Sequence, residues 1–265
     1  MWSGTLGGAG SLEERAEATR AAGYELLTVG GLEALAWTDA AASRRALTDR
    51  GIRVHSLDAV VSWTGIAATT GDGERLLDAA AGLGAPAVTV VSGDPPGTGR
   101  GALLPGFARF CAAAADRGLL VDLEFVPMSA VPDVAAATEL LDDLGRPDVG
   151  LVFDTWHFCR GVPDLAAAVR AAPRIRQVQI SDAAREVRGG LFRDTMQHRR
   201  LPGAGDLPLE PVLRVLHEHG ALRGVGPEVL STELHARGPA AAARAAAAAV
   251  DALLARVLRP PGPVS

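Results

Sequence analysis

The feature that most constrains this chain is a rhythm: short apolar, β-branched runs alternate with longer helix-like stretches eight times, from one end to the other. Strands are expected near Trp2–Leu6, Tyr24–Val29, Ile52–Val61, Ala87–Val91, Leu119–Phe125, Val149–Phe153, Ile175–Ile180 and Val225–Leu230. The helix-like stretches run from Ser11 to Ala22, then at about Leu35–Arg50, Gly73–Leu83, Leu104–Arg117, Val131–Leu144, Pro163–Ala171, Leu209–His219 and Pro239–Val257. Ser11 and Glu14 have the spacing of a capping box, and Gly23, Gly51, Gly118 and Gly220 stand where helices should stop. Strand–helix pairs repeated in this way, with none to spare, predict a (β/α)8 TIM barrel occupying residues 1–258 as one domain, followed by a frayed Pro-rich tail at 259–265. A doubly wound sheet would leave strands unplaced, and no glycine-rich phosphate fingerprint follows the first strand.

Composition narrows the partners. The 265 residues, 48% hydrophobic and 22% charged, suffice for the single core of a barrel, which takes about 250 residues. A net charge of −5 offers no general attraction to nucleic acid or to an anionic membrane, so a small-molecule substrate is expected, with self-association left open. All 26 basic residues are arginine. Without a lysine, Schiff-base chemistry through a lysine amine is excluded. The stretch Met1–Leu6 has neither a basic nor an apolar signal region, and no later run is long enough to span a bilayer, so the expected location is the cytoplasm. Cys111 and Cys159 read as buried thiols rather than as a disulfide or a zinc cluster.

In such a barrel the chemistry gathers at the C-terminal ends of the strands. Those ends carry Glu124, then Asp154 with His157 three residues on, then Gln179 and Asp182, and finally Glu228. They belong to neighbouring strands, so their side chains can converge. Leu119, Val121, Leu123 and Phe125 make one apolar face for the helices, which leaves Glu124 pointing inward; Gln179 shares a face with Gln177 and Ser181. Carboxylates that face one another without a lysine raise one another's pKa, and a divalent cation is the simplest remedy. The oxygen-rich set Glu124, Asp154, Gln179 and Glu228 suits Mn²⁺, Mg²⁺ or Co²⁺ better than a closed structural zinc site. The competing reading pairs Glu124 and Glu228 with arginines of the barrel interior, and an Asp after a strand is by itself an ordinary helix cap.

The ordered set Leu123-Glu124-Phe125, Val152-Phe153-Asp154-Thr155-Trp156-His157, Val178-Gln179-Ile180-Ser181-Asp182, Arg200-Leu201-Pro202-Gly203-Ala204-Gly205-Asp206 and Pro227-Glu228-Val229 resembles the sugar phosphate isomerase/epimerase family. That family belongs to the xylose-isomerase-like TIM barrels and includes D-tagatose 3-epimerase, hydroxypyruvate isomerase and inosose dehydratase. The resemblance implies one divalent metal ion, Mn²⁺ before Mg²⁺ or Co²⁺, on Glu124, Asp154, Gln179 and Glu228. It implies Glu124 and Glu228 as the acid/base pair, and His157 and Arg185 as contacts to substrate oxygens. Many members carry His where this chain has Gln179; hydroxypyruvate isomerases are similar to it in using Gln. An amide oxygen is the weaker donor, so lower metal affinity is expected.

A metal on a substrate carbonyl and its neighbouring hydroxyl stabilises an enediolate. Return of the proton to the other face epimerises, return to the adjacent carbon isomerises, and loss of a β-hydroxyl dehydrates. The residues fit all three outcomes. The long segment Ala183–Asp206, with Arg185, Arg188, Arg193, His198, Arg199 and Arg200, reads as a lid over the substrate. His55 and Trp63, near the end of the third expected strand, are candidates for the pocket wall, with core packing the alternative. His217, His219 and His235 receive no role. A phosphodiesterase of the endonuclease IV kind would need a multinuclear site with more histidines, and a non-catalytic sugar-binding barrel would not need two opposed glutamates.

Overall fold

Seven strands pair in parallel, each with the next in the chain: β1 Leu26–Gly30, β2 Arg53–Val60, β3 Ala87–Val91, β4 Leu120–Glu124, β5 Val149–Asp154, β6 Ile175–Ile180 and β7 Val225–Pro227. They come from a computed structural model that describes residues 1–8, 10–61, 63 and 72–259. The expected first strand, Trp2–Leu6, is reduced to its opening residues. Trp2 forms a parallel bridge with Thr28, Met1 O accepts from Thr28 N–H at 2.9 Å, and Trp2 N–H donates to Pro227 O at 3.3 Å. The dipeptide therefore spans the gap between β1 and β7 and closes the ring. Beyond it the chain coils into a short helix, α1 Ser3–Leu6. Side chains then take over from the backbone ladder: Ser3 Oγ accepts from Gly30 N–H, while Thr5 Oγ1 donates to Pro227 O and accepts from Val229 N–H.

The helices that follow are α2 Leu12–Ala21, α3 Gly31–Ala36, α4 Ala40–Thr48, α5 Asp72–Leu83, α6 Arg100–Ala115, α7 Val134–Leu144, α8 Thr155–Arg160, α9 Leu165–Ala171, α10 Leu191–Gln197, α11 Leu209–Glu218, α12 Thr232–His235 and α13 Pro239–Val257. The capping box at Ser11 and Glu14 forms as expected. The single helix expected over Leu35–Arg50 is instead two. Trp37 is extended, and the Asp39 carboxylate caps a new start by accepting from Ala42 N–H at 2.8 Å. Three further short helices, α8, α10 and α12, fall where the sequence pattern has no element. On α13 the alanines at 242, 243, 246 and 247 are buried, and α13 packs on α2; methyl-sized side chains let the two backbones come close. Among the described residues no helix is long and apolar enough to cross a membrane. Of the tail expected at 259–265, residues 260–265 lie outside the described residues.

One layer inside the barrel is polar yet closed. Ser56 Oγ donates to Gln177 Oε1 at 3.4 Å, Gln177 Nε2 donates to Asp122 Oδ2 at 2.9 Å, and Arg176 donates to Asp122 Oδ1 at 3.2 Å. Gly150 lies in register with Asp122. A Cβ there would sit 2.6 Å from Asp122 Oδ1 and 2.7 Å from Arg176 Cδ, so the pair needs a glycine beneath it. Two residues along each of the same strands, on the same face, stand Asp58, Glu124 and Gln179.

Candidate active site

Asp154 ends β5 and also caps α8, so the two readings of an Asp after a strand both hold. Its Oδ1 accepts from His157 N–H at 2.7 Å, and its Oδ2 accepts from Arg199 at 2.7 Å. The cap fixes the first turn of α8 and brings the His157 ring round, with Nε2 3.6 Å from Glu124 Oε1. Glu124 is the last residue of β4 and is buried. Gln179 is buried on β6, and its Nε2 donates to Asp58 Oδ2 at 2.8 Å. Glu228 follows β7, pinned through its own N–H to Ile180 O at 3.1 Å.

Arg199 is the centre of the arrangement. Its side chain is 1% exposed, and one nitrogen, Nη1, reaches Asp154 Oδ2, Glu228 Oε2 at 3.0 Å and Ser181 Oγ at 3.1 Å. The far side of the guanidinium donates to Thr195 Oγ1 and lies over the Trp156 ring. The backbone explains why this arginine turns inward and its neighbours do not. His198 bridges to Ser231, Arg200 bridges to Asp182, and Arg199 N–H donates to Leu230 O, so a strand-like segment is held on both sides and alternates.

Charge dominates the electrostatics. Asp58, Glu124, Asp154 and Glu228 are four carboxylates around one guanidinium. Burial first, then the charges of Asp58, Glu228 and Asp154, push the Glu124 carboxyl well above the ordinary range. Burial also pushes Glu228 well up, against the pull of Arg199. Asp58 is raised to about 6, again mainly by burial, with hydrogen bonds from Trp2 and Gln179 opposing the rise. Asp154 suffers the same burial, but Arg199 and the His157 contacts outweigh it and hold its carboxyl down. Burial lowers His157 to about 4, so its imidazole is neutral.

Several polar atoms in this cluster have no partner among the described residues. Glu124 Oε1, Gln179 Oε1 and His157 Nδ1 are buried and unbonded. Glu124, Asp154 and His157 also place ligand atoms within 4.8 Å of one another, which makes a candidate metal site. Orphaned hard oxygens beside surplus negative charge fit a divalent cation. Of the arginine pairings weighed against this for Glu124 and Glu228, the described residues show only that of Glu228, with Arg199, which also holds Asp154.

Asp58, Glu124, His157, Arg199 and Glu228 line a cavity of about 790 Å³, while Asp154 and Gln179 are not part of its lining. Its mouth carries Phe192 and Met196 of α10, 70% and 46% exposed. The segment Ala183–Asp206 is fastened rather than loose. Asp194 accepts from Trp156 Nε1 and pairs with Arg160, and Asp182 accepts from the N–H groups of Gly203, Gly205 and Leu207. Gly205 is needed there because a Cβ would collide with Ala183 O and Asp182 Oδ1.

The structure brings Glu124, Asp154, His157, Gln179 and Glu228 together, and it places two other candidates apart from them. Arg185 is exposed and outside the cavity wall; its N–H donates to Asp206 and its carbonyl accepts from Arg160. His55 is the third residue of β2, not near its end, and lies in a different pocket with Leu26, Arg44 and Pro86. Trp63 is a packed indole, 2% exposed, donating to Val91 O. His235, given no role, lines the cavity but spends its Nε2 on Gly4 O.

Two members of the cluster were missed. The signal for Asp58 is the polar pair Ser56/Asp58 at spacing two, which matches Asp122/Glu124 and Gln177/Gln179 on other strands. For Arg199 it is the spacing of His198-Arg199-Arg200, readable only once the segment is known to be extended.

The sequence model of a family described as xylose isomerase-like TIM barrel matches residues 16–254. Solved structures give the same architecture. A structure of the IolI protein with a bound zinc atom superposes with a TM-score of 0.85 at 19% identity, over 97% of this chain and 98% of that one. D-allulose 3-epimerase from Methylomonas sp. gives 0.75 at 19% identity, over 96% of each chain. The probable 3-DHS dehydratase AsbF, involved in petrobactin synthesis, from Bacillus anthracis gives 0.74 at 11% identity, over 95% of this chain and 97% of that one. A sequence comparison with curated proteins gives no match.

Proposed function

Because the chain belongs to the xylose isomerase-like TIM barrel family, we propose that it is a divalent-metal-dependent isomerase or epimerase of a small sugar, ketose or related polyhydroxy carbonyl compound. The observation that carries this reading is the pair of glutamates, Glu124 buried and Glu228 with its side chain 14% exposed, lining one cavity, both with carboxyls raised well above the ordinary carboxylate range. A carboxyl with a raised pKa is a stronger base than an ordinary carboxylate and is suited to take and return a proton.

The residues that would hold the ion are Glu124, Asp154, Gln179 and Glu228, with His157 beside them; Mn²⁺ is the first choice and Mg²⁺ or Co²⁺ the alternatives. When bound, such an ion supplies Lewis-acid stabilisation of charge developing on neighbouring substrate oxygens. The chain's own residues do the rest. One glutamate removes the proton from the carbon beside the carbonyl, and the C–H electron pair stays with the substrate as an enediolate. The other glutamate returns a proton, to the opposite face of that carbon or to its neighbour. Arg199 steadies Glu228 by holding Oε2 and the backbone carbonyl together. The neutral His157 ring offers a hydrogen bond to a substrate oxygen, and Phe192 and Met196 restrict water at the mouth. A dehydratase outcome uses the same residues, with loss of a β-hydroxyl from the same enediolate, and the likeness to the probable 3-DHS dehydratase supports keeping it as the second reading.

Turnover in D2O tests the proposal. Deuterium should enter the carbon next to the carbonyl, because a glutamate proton exchanges with solvent. Turnover without label, together with full activity in Glu228→Gln, would remove the proton-transfer reading.

A further inference from the structure

Gln179 has two chemically opposite ends, and only one of them can bind a cation. Its carboxamide oxygen is buried without a partner, while its nitrogen donates to Asp58 Oδ2 at 2.8 Å. The same Oδ2 accepts from Trp2 Nε1 at 2.7 Å. An indole N–H is a donor and nothing else, so the oxygen it touches must be an acceptor. With the Asp58 carboxyl ionised, that oxygen can in turn meet only the donor end of the amide. Trp2 is 3% exposed and sits in the bridge that closes the barrel, so the indole is fixed by the fold itself.

We propose that Asp58 is a positioning residue: held by Trp2, its carboxylate selects the orientation of the Gln179 amide and thereby presents Gln179 Oε1 as a donor to a divalent cation. The inference rests on the metal-dependent reading above and deepens it. An imidazole presents a ring nitrogen as donor. A carboxylate has two equivalent oxygens and no wrong end. A glutamine needs a neighbour to choose, and Asp58 is that neighbour.

A double-mutant cycle read by metal binding, without any substrate, separates orientation from charge. Metal-free wild type, Asp58→Ala, Gln179→Glu and the double variant are titrated with Mn²⁺ by calorimetry, after circular dichroism has shown each to be folded. Loss of a partner that orients a metal ligand weakens affinity by about 10- to 100-fold, and that loss is expected for Asp58→Ala in the wild-type background. With Glu at position 179 the same substitution should cost at most about twofold, because nothing remains to orient. Equal losses in both backgrounds, or none in either, overturn the proposal.

Should Asp58→Ala fail to fold, Asp58→Asn decides. It keeps an oxygen for Trp2 and Gln179, so Mn²⁺ affinity should stay within about threefold of wild type, whereas a loss of about tenfold or more would mean that charge and not orientation matters. If wild type itself binds no Mn²⁺, the metal-dependent function fails first; wild-type binding with an uncoupled cycle sinks the positioning role alone.

Discussion

Two layers of the barrel, two residues apart on the same strands, treat the same chemistry in opposite ways. In the lower layer Asp122 and Gln177 face each other, and both carboxylate oxygens and both ends of the amide have partners. In the upper layer Glu124 and Gln179 occupy the equivalent places, and each leaves a buried oxygen unbonded among the described residues. Burial is not the difference, since all four residues are at most 4% exposed. The lower layer receives Arg176 for its carboxylate and is complete within the chain. Among the described residues the upper layer gathers four carboxylates around one guanidinium, that of Arg199, and under the proposed function a further cation completes it. A buried polar group that is satisfied holds a fold together; one that is left open at the rim of a sheet is where a ligand goes.

Substitutions in the two layers should therefore fail in different assays. The largest effect is expected for Glu228→Gln, which keeps an oxygen donor but removes a base: product formation should fall by about a hundredfold or more, with at least partial metal occupancy. Initial rates measure it, on a substrate found by screening ketoses, 2-keto acids and cyclitols. Full activity in a metal-loaded variant would erase the distinction between the layers. Asp122→Ala should act on stability instead, costing about 1–3 kcal/mol in urea denaturation, because Gln177 Nε2 is left buried without an acceptor. Its metal content should match wild type. Asp122→Asn should cost less, about 1 kcal/mol, because the acceptor for Gln177 survives, while the amide NH2 that replaces the other oxygen faces Arg176 and loses that pairing. A loss in Asp122→Asn as large as in Asp122→Ala would show that charge, not hydrogen-bond closure, defines the lower layer.

Much of this was legible in the sequence, for identifiable reasons. The bounds of β3, β6 and α13 come out as expected, because β-branched runs and an alanine-rich stretch leave little choice of structure. Strand alternation, which has a strict period, assigns Glu124 and Gln179 to the inward face, and Asp154 and Glu228 follow from their place at strand ends. What escaped depends on contacts distant in sequence. Arg185 and Arg199 lie in one segment with several other cations, and only the bridges to Asp182 and Ser231 decide which turns inward. The role of Asp58 emerges only when Trp2, 56 positions away, supplies its indole. His55 stands at the third position of β2, away from the cavity, and the expected first strand is cut short because side chains of Ser3 and Thr5 do the work of a backbone ladder.

The central claim is that the upper layer is built to be completed by one divalent cation, and titration of EDTA-treated protein with Mn²⁺, followed by calorimetry, tests it most directly. The account predicts one ion bound per chain, with a melting temperature that rises with the ion and a stabilisation of about 2.7 kcal/mol when free Mn²⁺ stands at a hundred times its Kd. Absence of binding at millimolar Mn²⁺, Mg²⁺ and Co²⁺, with a melting temperature indifferent to both ion and chelator, would contradict it and leave Arg199 as the layer's own and sufficient cation.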